Sequence, residues 1–301
     1  MLIKVAICNF QDNGAGNRAL WQGMHERLKS LGLHLLLRQE MWGAEENAGA
    51  LATAAERVLG LTGIIGEGCC TALYYSPDLF TPVENYTPIT GPMWVLPPTV
   101  RGLRLRGTTP SAVPLLVSSF HLNYSSPATR LPEAERLTQW ADRWDRSANR
   151  AGTVHWPALI GGDTNSYPTP GTPGDPALPV LDQIADEPHR AHRSYLGPDG
   201  VRRMDDRPDA TLRTAGLHDV ARHLATTRGD TAALAPTMDA CSTHGPDARV
   251  DRLYASPELL PALRTVEVID MHDLSDHHTV VATFDQKTLT HILNNPLTRT
   301  A

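Results

Sequence analysis

Apolar residues fall along the chain in short runs that alternate with stretches of helical spacing. Residues 2–8 are largely apolar and predict a buried strand ending at Asn9. Leu20, Met24, Leu28 and Leu31 recur every three or four positions, which predicts a helix over 17–31 stopped by Gly32. Leu33 to Arg38 reads as a strand running into Gln39-Glu40, and 44–59 as a helix closed by Gly60. Further strands are predicted at Thr71–Ser76, Val113–Leu122, Ala158–Gly161, Val250–Ala255, Thr265–Ile269 and Thr279–Phe284. Residues 93–106, with Pro97-Pro98 inside, predict two edge strands and a loop. A surface helix is predicted over 132–149, with Leu137, Trp140 and Trp144 on one face and Pro132 in its first turn. Residues 166–210 read as loop with one short helix at 177–185, and Thr211–Ala225 as a helix interrupted at Gly216.

There is no internal repeat and no linker that splits the chain. Strands with both short and helical connections predict an α/β (α+β) fold, a mixed β-sandwich flanked by helices. The expected organisation is a single domain over 1–285, followed by a polar tail over 286–301 that is either helical or disordered.

Composition narrows the function classes. The 301 residues are 41% apolar, enough for a sizeable core. The net charge is −6, so any polyanion must be held by a local basic patch and a metal ion, not by the global field. Only Lys4, Lys29 and Lys287 are lysines, and Arg over Lys with much Ala and Pro fits a GC-rich bacterial genome. None of Cys8, Cys69, Cys70 and Cys241 sits in a C-x-x-C pair, which disfavours structural zinc and predicts reduced thiols. The opening segment is too strand-like for a signal peptide, and no apolar run reaches membrane-helix length. The expectation is a cytoplasmic monomer with no membrane partner.

One pattern repeats: a strand finishes and the next residues are acidic, amide or imidazole. It occurs at Asn9, at Gln39-Glu40, at His121 and Asn123, and at Asp163 and Asn165. Asp251 lies inside its strand, and Asp276-His277 just precedes the last one. A rigid sheet aims such groups into one cleft. Taken singly, each also has a structural explanation: a turn at Asn9, a solvated acid at Glu40, an Asx turn at Asp163-Thr164-Asn165, an ion pair between Asp251 and its neighbours Arg249 and Arg252.

Together, and in this order, the residues resemble the motif series of the endonuclease/exonuclease/phosphatase superfamily, the DNase I-like fold. Ala6-Ile7-Cys8-Asn9 resembles its first strand, and Gln39-Glu40 its metal motif. Phe120-His121-Leu122, with Arg130, Glu133 and Ala134 downstream, resembles its next segment. Gly162-Asp163-Thr164-Asn165, Val250-Asp251-Arg252-Leu253 and Ser275-Asp276-His277 resemble its remaining motifs. The resemblance spans residues 2 to 284. Cys8 replaces the usual aromatic, and Thr164 replaces the usual Phe. The Thr164 form is similar to that of tyrosyl-DNA phosphodiesterase 2, and one residue does not fix a substrate.

The resemblance implies a four-layer sandwich in which two mixed sheets pack face to face between helices. It implies a phosphoester hydrolase using Mg²⁺ (or Mn²⁺), with Glu40, Asp276 and Asn9 as metal ligands. A hard cation suits those oxygen donors. Asp163 would orient or deprotonate the attacking water, and His277 would donate to the phosphoryl group. Asp251 would hold the His277 tautomer, and His121 would add a phosphate donor. Asn9, Asn123, Arg130 and Asn165 are the expected substrate-binding residues. The expected substrate is a phosphodiester in nucleic acid or nucleotides. A small-metabolite phosphatase and an inactive phosphate-binding module remain open.

Two other hydrolase chemistries are disfavoured. A zinc site from His272 with His277 or His278 lacks an H-E-x-x-H pattern, and no G-x-S-x-G elbow is present. Residues 187–228 carry eight arginines against six acids and read either as a solvated face or as a rim for an anionic substrate. Trp42, Trp94 and Tyr167 are candidate stacking residues.

Overall fold

The computed structural model describes residues 1–88, 91, 93–146 and 152–299, apart from the side chains at 69, 146 and 272. The chain begins with β1 (Leu2–Asn9), α1 (Arg18–Ser30), β2 (Leu35–Gln39), α2 (Glu46–Leu59), β3 (Thr62–Ile65) and β4 (Thr71–Tyr75). Next come β5 (Phe80–Asn85), β6 (Thr99–Leu105), β7 (Leu115–His121), α3 (Pro127–Leu137), β8 (Trp144–Arg146), β9 (Thr153–His155) and β10 (Ala158–Asp163). The segment after β10 holds α4 (Glu187–His192), β11 (Ser194–Leu196), β12 (Arg202–Met204), α5 (Arg207–Thr214), β13 (His218–Asp219) and α6 (Val220–Arg228). The remainder is β14 (Asp251–Ala255), β15 (Leu263–Ile269), β16 (Thr279–Asp285), α7 (Gln286–Asn294) and β17 (Thr298–Arg299).

Two six-stranded mixed sheets form the body, in the orders β15-β16-β1-β2-β4-β3 and β13-β14-β10-β7-β6-β5. Each has a parallel pair at its centre, β1 with β2 and β7 with β10, flanked by antiparallel partners. Alternation along the strands sorts the side chains into layers. Ile3, Val5, Ile7, Leu35, Leu37, Leu115, Val117, Leu159, Leu253 and Ala255 face inward and fill the space between the sheets. Ala6, Cys8, Leu36, Ala72 and Tyr74 face out beneath α1 and α2. Leu116, Phe120, Ile160 and Tyr254 face out against α3 and α5, with Leu137 and Leu212. The result is the expected helix–sheet–sheet–helix sandwich.

Two glycines are required in β10. A Cβ on Gly161 would lie 2.8 Å from Ile7 Cδ1 and 2.9 Å from Leu253 Cδ1, so β10 approaches the opposite sheet only without a side chain. A Cβ on Gly162 would lie 1.7 Å from the Phe120 carbonyl oxygen.

Local chemistry sets the helix ends. Asn17 Oδ1 accepts from the Ala19 and Leu20 amides at the start of α1, and Trp21, Met24, His25 and Leu28 bury one stripe. The helix expected at 132–149 begins earlier, because Ser126 caps the Thr129 amide and Pro127 occupies the first turn. Pro132 therefore lies inside α3. The chain leaves the helix after Leu137, and Trp144 belongs to β8. Residues 147–149 of that expectation lie outside the described residues.

Other segments also differ from expectation. Strands β3 and β5 were not predicted. Both are edges, and β5 is exposed at five of its six positions, so no alternating core face marks it. Residues 93–106 contain β6 rather than two edge strands. The 177–185 helix is only a short 3-10 turn at Leu181–Gln183, whereas α4 and the β11–β12 hairpin organise the rest of that loop. Gly216 ends the helical stretch before β13, and Asp219 then caps a separate α6. Residues 286–294 form α7, whose Leu289 and Leu293 are buried in the inter-sheet core.

Candidate active site

The inward-facing register that fills the core continues to the strand ends, where polar groups replace apolar ones. Asn9 follows Ile3, Val5 and Ile7; Gln39 follows Leu35 and Leu37; His121 follows Leu115, Val117 and Ser119; Asp163 follows Leu159 and Gly161. Asp251 begins the β14 row that continues through Leu253 and Ala255. Parity and strand length thus bring five polar side chains from five strands and both sheets to one rim. Gln39 Nε2 donates to Ser119 Oγ at 2.9 Å, and Ser119 Oγ donates to the Arg38 carbonyl, tying the sheets just beneath.

Asn9 Nδ2 donates to Glu40 Oε1 and to Asp163 Oδ2, each at 3.2 Å. Glu40 takes a left-handed backbone (φ 57°), which turns its carboxylate back over the strand ends. Its Oε2 accepts the Asp12 amide at 2.7 Å, and its Oε1 lies 3.5 Å from His121 Nε2. Burial opposes its charge, but His121, the Asp12 amide and Asn9 hold the Glu40 carboxyl down to about 2. Burial also disfavours charge on His121, yet the Cys70 thiol and the acids Glu40 and Asp163 raise it well above its ordinary value.

Asp163 Oδ1 accepts the Asn165 amide at 2.7 Å, inside a turn that puts Asn165 in a left-handed conformation (φ 48°). The Asn165 side chain donates to the Leu122 carbonyl at 3.0 Å and lies 3.5 Å from His121 Nε2. Thr164 is explained by its hydroxyl, which donates to the Val250 carbonyl and accepts from Arg252. His277 Nδ1 stands 2.8 Å from Asp251 Oδ2. Asp163, Asp251 and His277 present atoms within 4.8 Å of one another. Despite burial, Asp251 and Asp163 raise His277 to about 10, so the ring is an imidazolium at neutral pH with Nε2 left for a ligand. Burial raises Asp251, while His277, His121 and Arg193 hold Asp163 below its ordinary value.

Two atoms fit a hard cation or donors from a ligand. Asn9 Oδ1 and Asp251 Oδ1 are buried acceptors with no hydrogen-bond partner. Asp276 is half-buried and lines the same cleft, which has a volume of about 460 Å³. The cleft is also lined by Trp42, Tyr124, Arg193, His189 and His244.

The structure does not bring all the expected residues to this cleft. Arg130 is fully buried: its guanidinium binds Asp205 at 2.9 Å and donates to the Asn123 and His192 carbonyls. It is a tie between α3 and the 166–210 segment, not a surface for substrate. Asn123 lines the cleft, but its Oδ1 accepts the Ser125 and Ser126 amides and closes the turn into α3. Of the stacking candidates, Trp94 and Tyr167 are buried and Trp42 is exposed to the cleft. The His272 side chain lies outside the described residues, and His278 turns away to Asp239 and Asp270. Sequence reasoning placed Glu133 in a motif without giving it a role; its Oε2 accepts the Asn123 amide at 2.7 Å and supports the His121–Asn123 turn. Sequence reasoning missed Arg193, which no local pattern singles out among the arginines of 187–228.

The described thiols Cys8, Cys70 and Cys241 are free, and no helix among the described residues is long and apolar enough to cross a membrane.

Comparison with known proteins agrees with this geometry. The family model described as "Endonuclease/Exonuclease/phosphatase family" matches residues 13–277. No curated protein sequence matches the chain. An AP endonuclease from Archaeoglobus fulgidus superposes with a TM-score of 0.59 at 17% identity, covering 94% of this chain and 99% of that one. TDP2 from D. rerio, complexed with a single-strand DNA product, gives a TM-score of 0.60 at 14% identity over 95% and 99% of the two chains. The 3′ phosphatase NExo from Neisseria, bound to a product DNA hairpin, gives 0.56 at 16% identity over 94% and 99%. A DNase I-like sandwich with its polar groups gathered at one rim, and a family match over most of its length, place this chain in the endonuclease/exonuclease/phosphatase family of phosphoester hydrolases.

Proposed function

We propose that the chain is a divalent-metal-dependent phosphodiesterase acting on nucleic-acid or nucleotide phosphoesters. The observation that carries this reading is the convergence of Glu40, Asn9, Asp163, Asn165, His121 and the Asp251–His277 pair in one cleft. Glu40, Asn9 and Asp276 are the residues that would hold Mg²⁺ or Mn²⁺, and the unpartnered Asn9 Oδ1 beside Glu40 supports that assignment. Such an ion, when bound, draws charge from the phosphoryl oxygens.

The chain's own groups supply the rest. Asp163, ionised and fixed by the Asn165 amide, accepts a proton from the attacking water or orients it. Asn165 Nδ2 and His121 donate to phosphate oxygens. His277 enters as imidazolium and donates through Nε2 to the developing charge, while Asp251 holds Nδ1 and fixes the ring. DNA product bound to the TDP2 and NExo neighbours supports a nucleic-acid or nucleotide ester as the substrate class. A small phosphorylated metabolite is the second reading. The observation favouring it is the acidic groove lined by Asp12, Asp239, Asp273 and Asp276, which repels a long polyanion.

The test is hydrolysis of bis-p-nitrophenyl phosphate and p-nitrophenyl phosphate with Mg²⁺, Mn²⁺ or EDTA, beside Asp163→Asn. Metal-dependent turnover that the variant loses is expected, with the diester preferred. Preference for the monoester would replace the phosphodiesterase with a phosphatase. Turnover that persists in EDTA would overturn the metal dependence.

A further inference from the structure

The arginines of 187–228 suggest a basic rim, yet nearly all of them bind the protein itself. Arg203 pairs with Asp199, Arg207 with Asp205, and Arg222 with Asp175 and Asp209. Arg190 and Arg228 donate to main-chain carbonyls, and Arg202 to Ser194. Arg213 reaches Asp209 at 3.8 Å. Arg193 is the exception. It is 4% exposed, its Nη1 has no hydrogen-bond partner, and its Nη2 meets only the Met238 sulfur at 3.9 Å. Among the described residues it is the only arginine or lysine that lines the cleft. A buried guanidinium without an acceptor is costly, and an anion relieves that cost.

Its surroundings suit a phosphate beside the scissile one. Arg193 follows α4, and the His189 and His244 rings, 4.9 Å apart, line the cleft with it. The donors assigned to the scissile phosphate, His277, His121 and Asn165, come from the sheet rim instead. Beyond His244 the cleft meets the acidic groove, which shares Asp12 and Asp276 with it and, among the described residues, has no arginine or lysine in its lining. Anionic recognition in that direction therefore ends at Arg193.

We propose that Arg193, with His189 and His244, binds a second phosphate one linkage away from the scissile ester, so that preferred substrates are short or terminal phosphoesters carrying two neighbouring anions. The proposal rests on the phosphoesterase reading above and names its substrate class.

The test compares p-nitrophenyl thymidine 5′-phosphate with the same ester carrying a 3′-phosphate. In the wild type the ratio of kcat/KM should favour the 3′-phosphorylated ester by about 10- to 100-fold, mainly through KM, as expected of a charge-assisted contact. In Arg193→Gln that ratio should collapse to about 1, with Arg193→Lys in between. A wild-type ratio near 1, or a ratio unchanged in Arg193→Gln whatever the absolute rates, would overturn the proposal. Calorimetry in Ca²⁺ with thymidine 3′,5′-bisphosphate and thymidine 5′-phosphate separates this failure from failure of the parent reading. If neither ester is turned over, tighter binding of the bisphosphate that Arg193→Gln abolishes still supports the subsite, and equal affinities reject it.

Discussion

Glu133 offers a test of the site's supporting shell that needs no substrate. Its carboxyl is fully buried on α3, Oε2 accepts the Asn123 amide at 2.7 Å, and Oε1 has no partner. Burial pushes the group up to about 7 from an ordinary 4.5, against the Asn123 and Val95 amides, His121 and Arg130, which favour the charged form. A carboxyl raised in the folded state contributes stability that is fully present below pH 4.5 and is lost as pH rises through 7. The gap corresponds to about 3 kcal/mol at roughly 1.36 kcal/mol per pH unit. Glu133→Gln keeps an acceptor for the Asn123 amide and removes the titration. Its unpartnered amide hydrogens impose a cost of about 1 kcal/mol that does not vary with pH. The stability of Glu133→Gln minus that of the wild type should therefore rise by about 3 kcal/mol between pH 4.5 and pH 8. Urea unfolding in half-unit pH steps measures this, and the subtraction cancels the titrating groups that do not interact with Glu133. A difference that stays flat to within about 0.5 kcal/mol would refute the assignment of a raised, buried acid at 133.

Three further outcomes are expected. Gly162→Ala places a Cβ 1.7 Å from the Phe120 carbonyl oxygen and should lower stability by about 3 kcal/mol or more, read as a fall in the urea midpoint at constant slope. Glu40→Gln should abolish the stabilisation that saturating Mg²⁺ or Mn²⁺ gives in a thermal melt, about 3 kcal/mol at 100 times Kd; an unchanged metal-induced shift counts against Glu40 as a ligand. His277→Ala should cut turnover of bis-p-nitrophenyl phosphate by about 10²- to 10⁴-fold while the melt shows a folded protein, and activity within a few-fold of wild type would remove His277 from the chemistry.

The sequence by itself determined the strands with a buried face. β1, β2, β7, β10, β14 and β16 were readable because each carries an apolar run, or an alternating one, set by its own neighbours in the chain. The same local periodicity made Asn9, Glu40, His121, Asp163 and Asn165 legible as a set, since a polar residue just past an apolar strand sits at the rim of whatever sheet the strand joins. Tertiary structure decided what alternation cannot encode. Edge strand β3 is half-buried at all four positions and β5 buries only Phe80, so neither shows the alternation that marks a core face. The start of α3, by contrast, is set locally, by the Ser126 hydroxyl on the Thr129 amide with Pro127 in the first turn, a signal that apolar spacing alone does not carry. Most of all, the long polar side chains took their roles from distant partners. Arg130 is drawn into the interior by Asp205, 75 positions away in sequence, whereas Arg193, in the same segment as Asp205, is left without an acceptor beside the candidate active-site cleft. A guanidinium looks the same in any sequence window, and only the fold decides whether an acceptor comes within its reach.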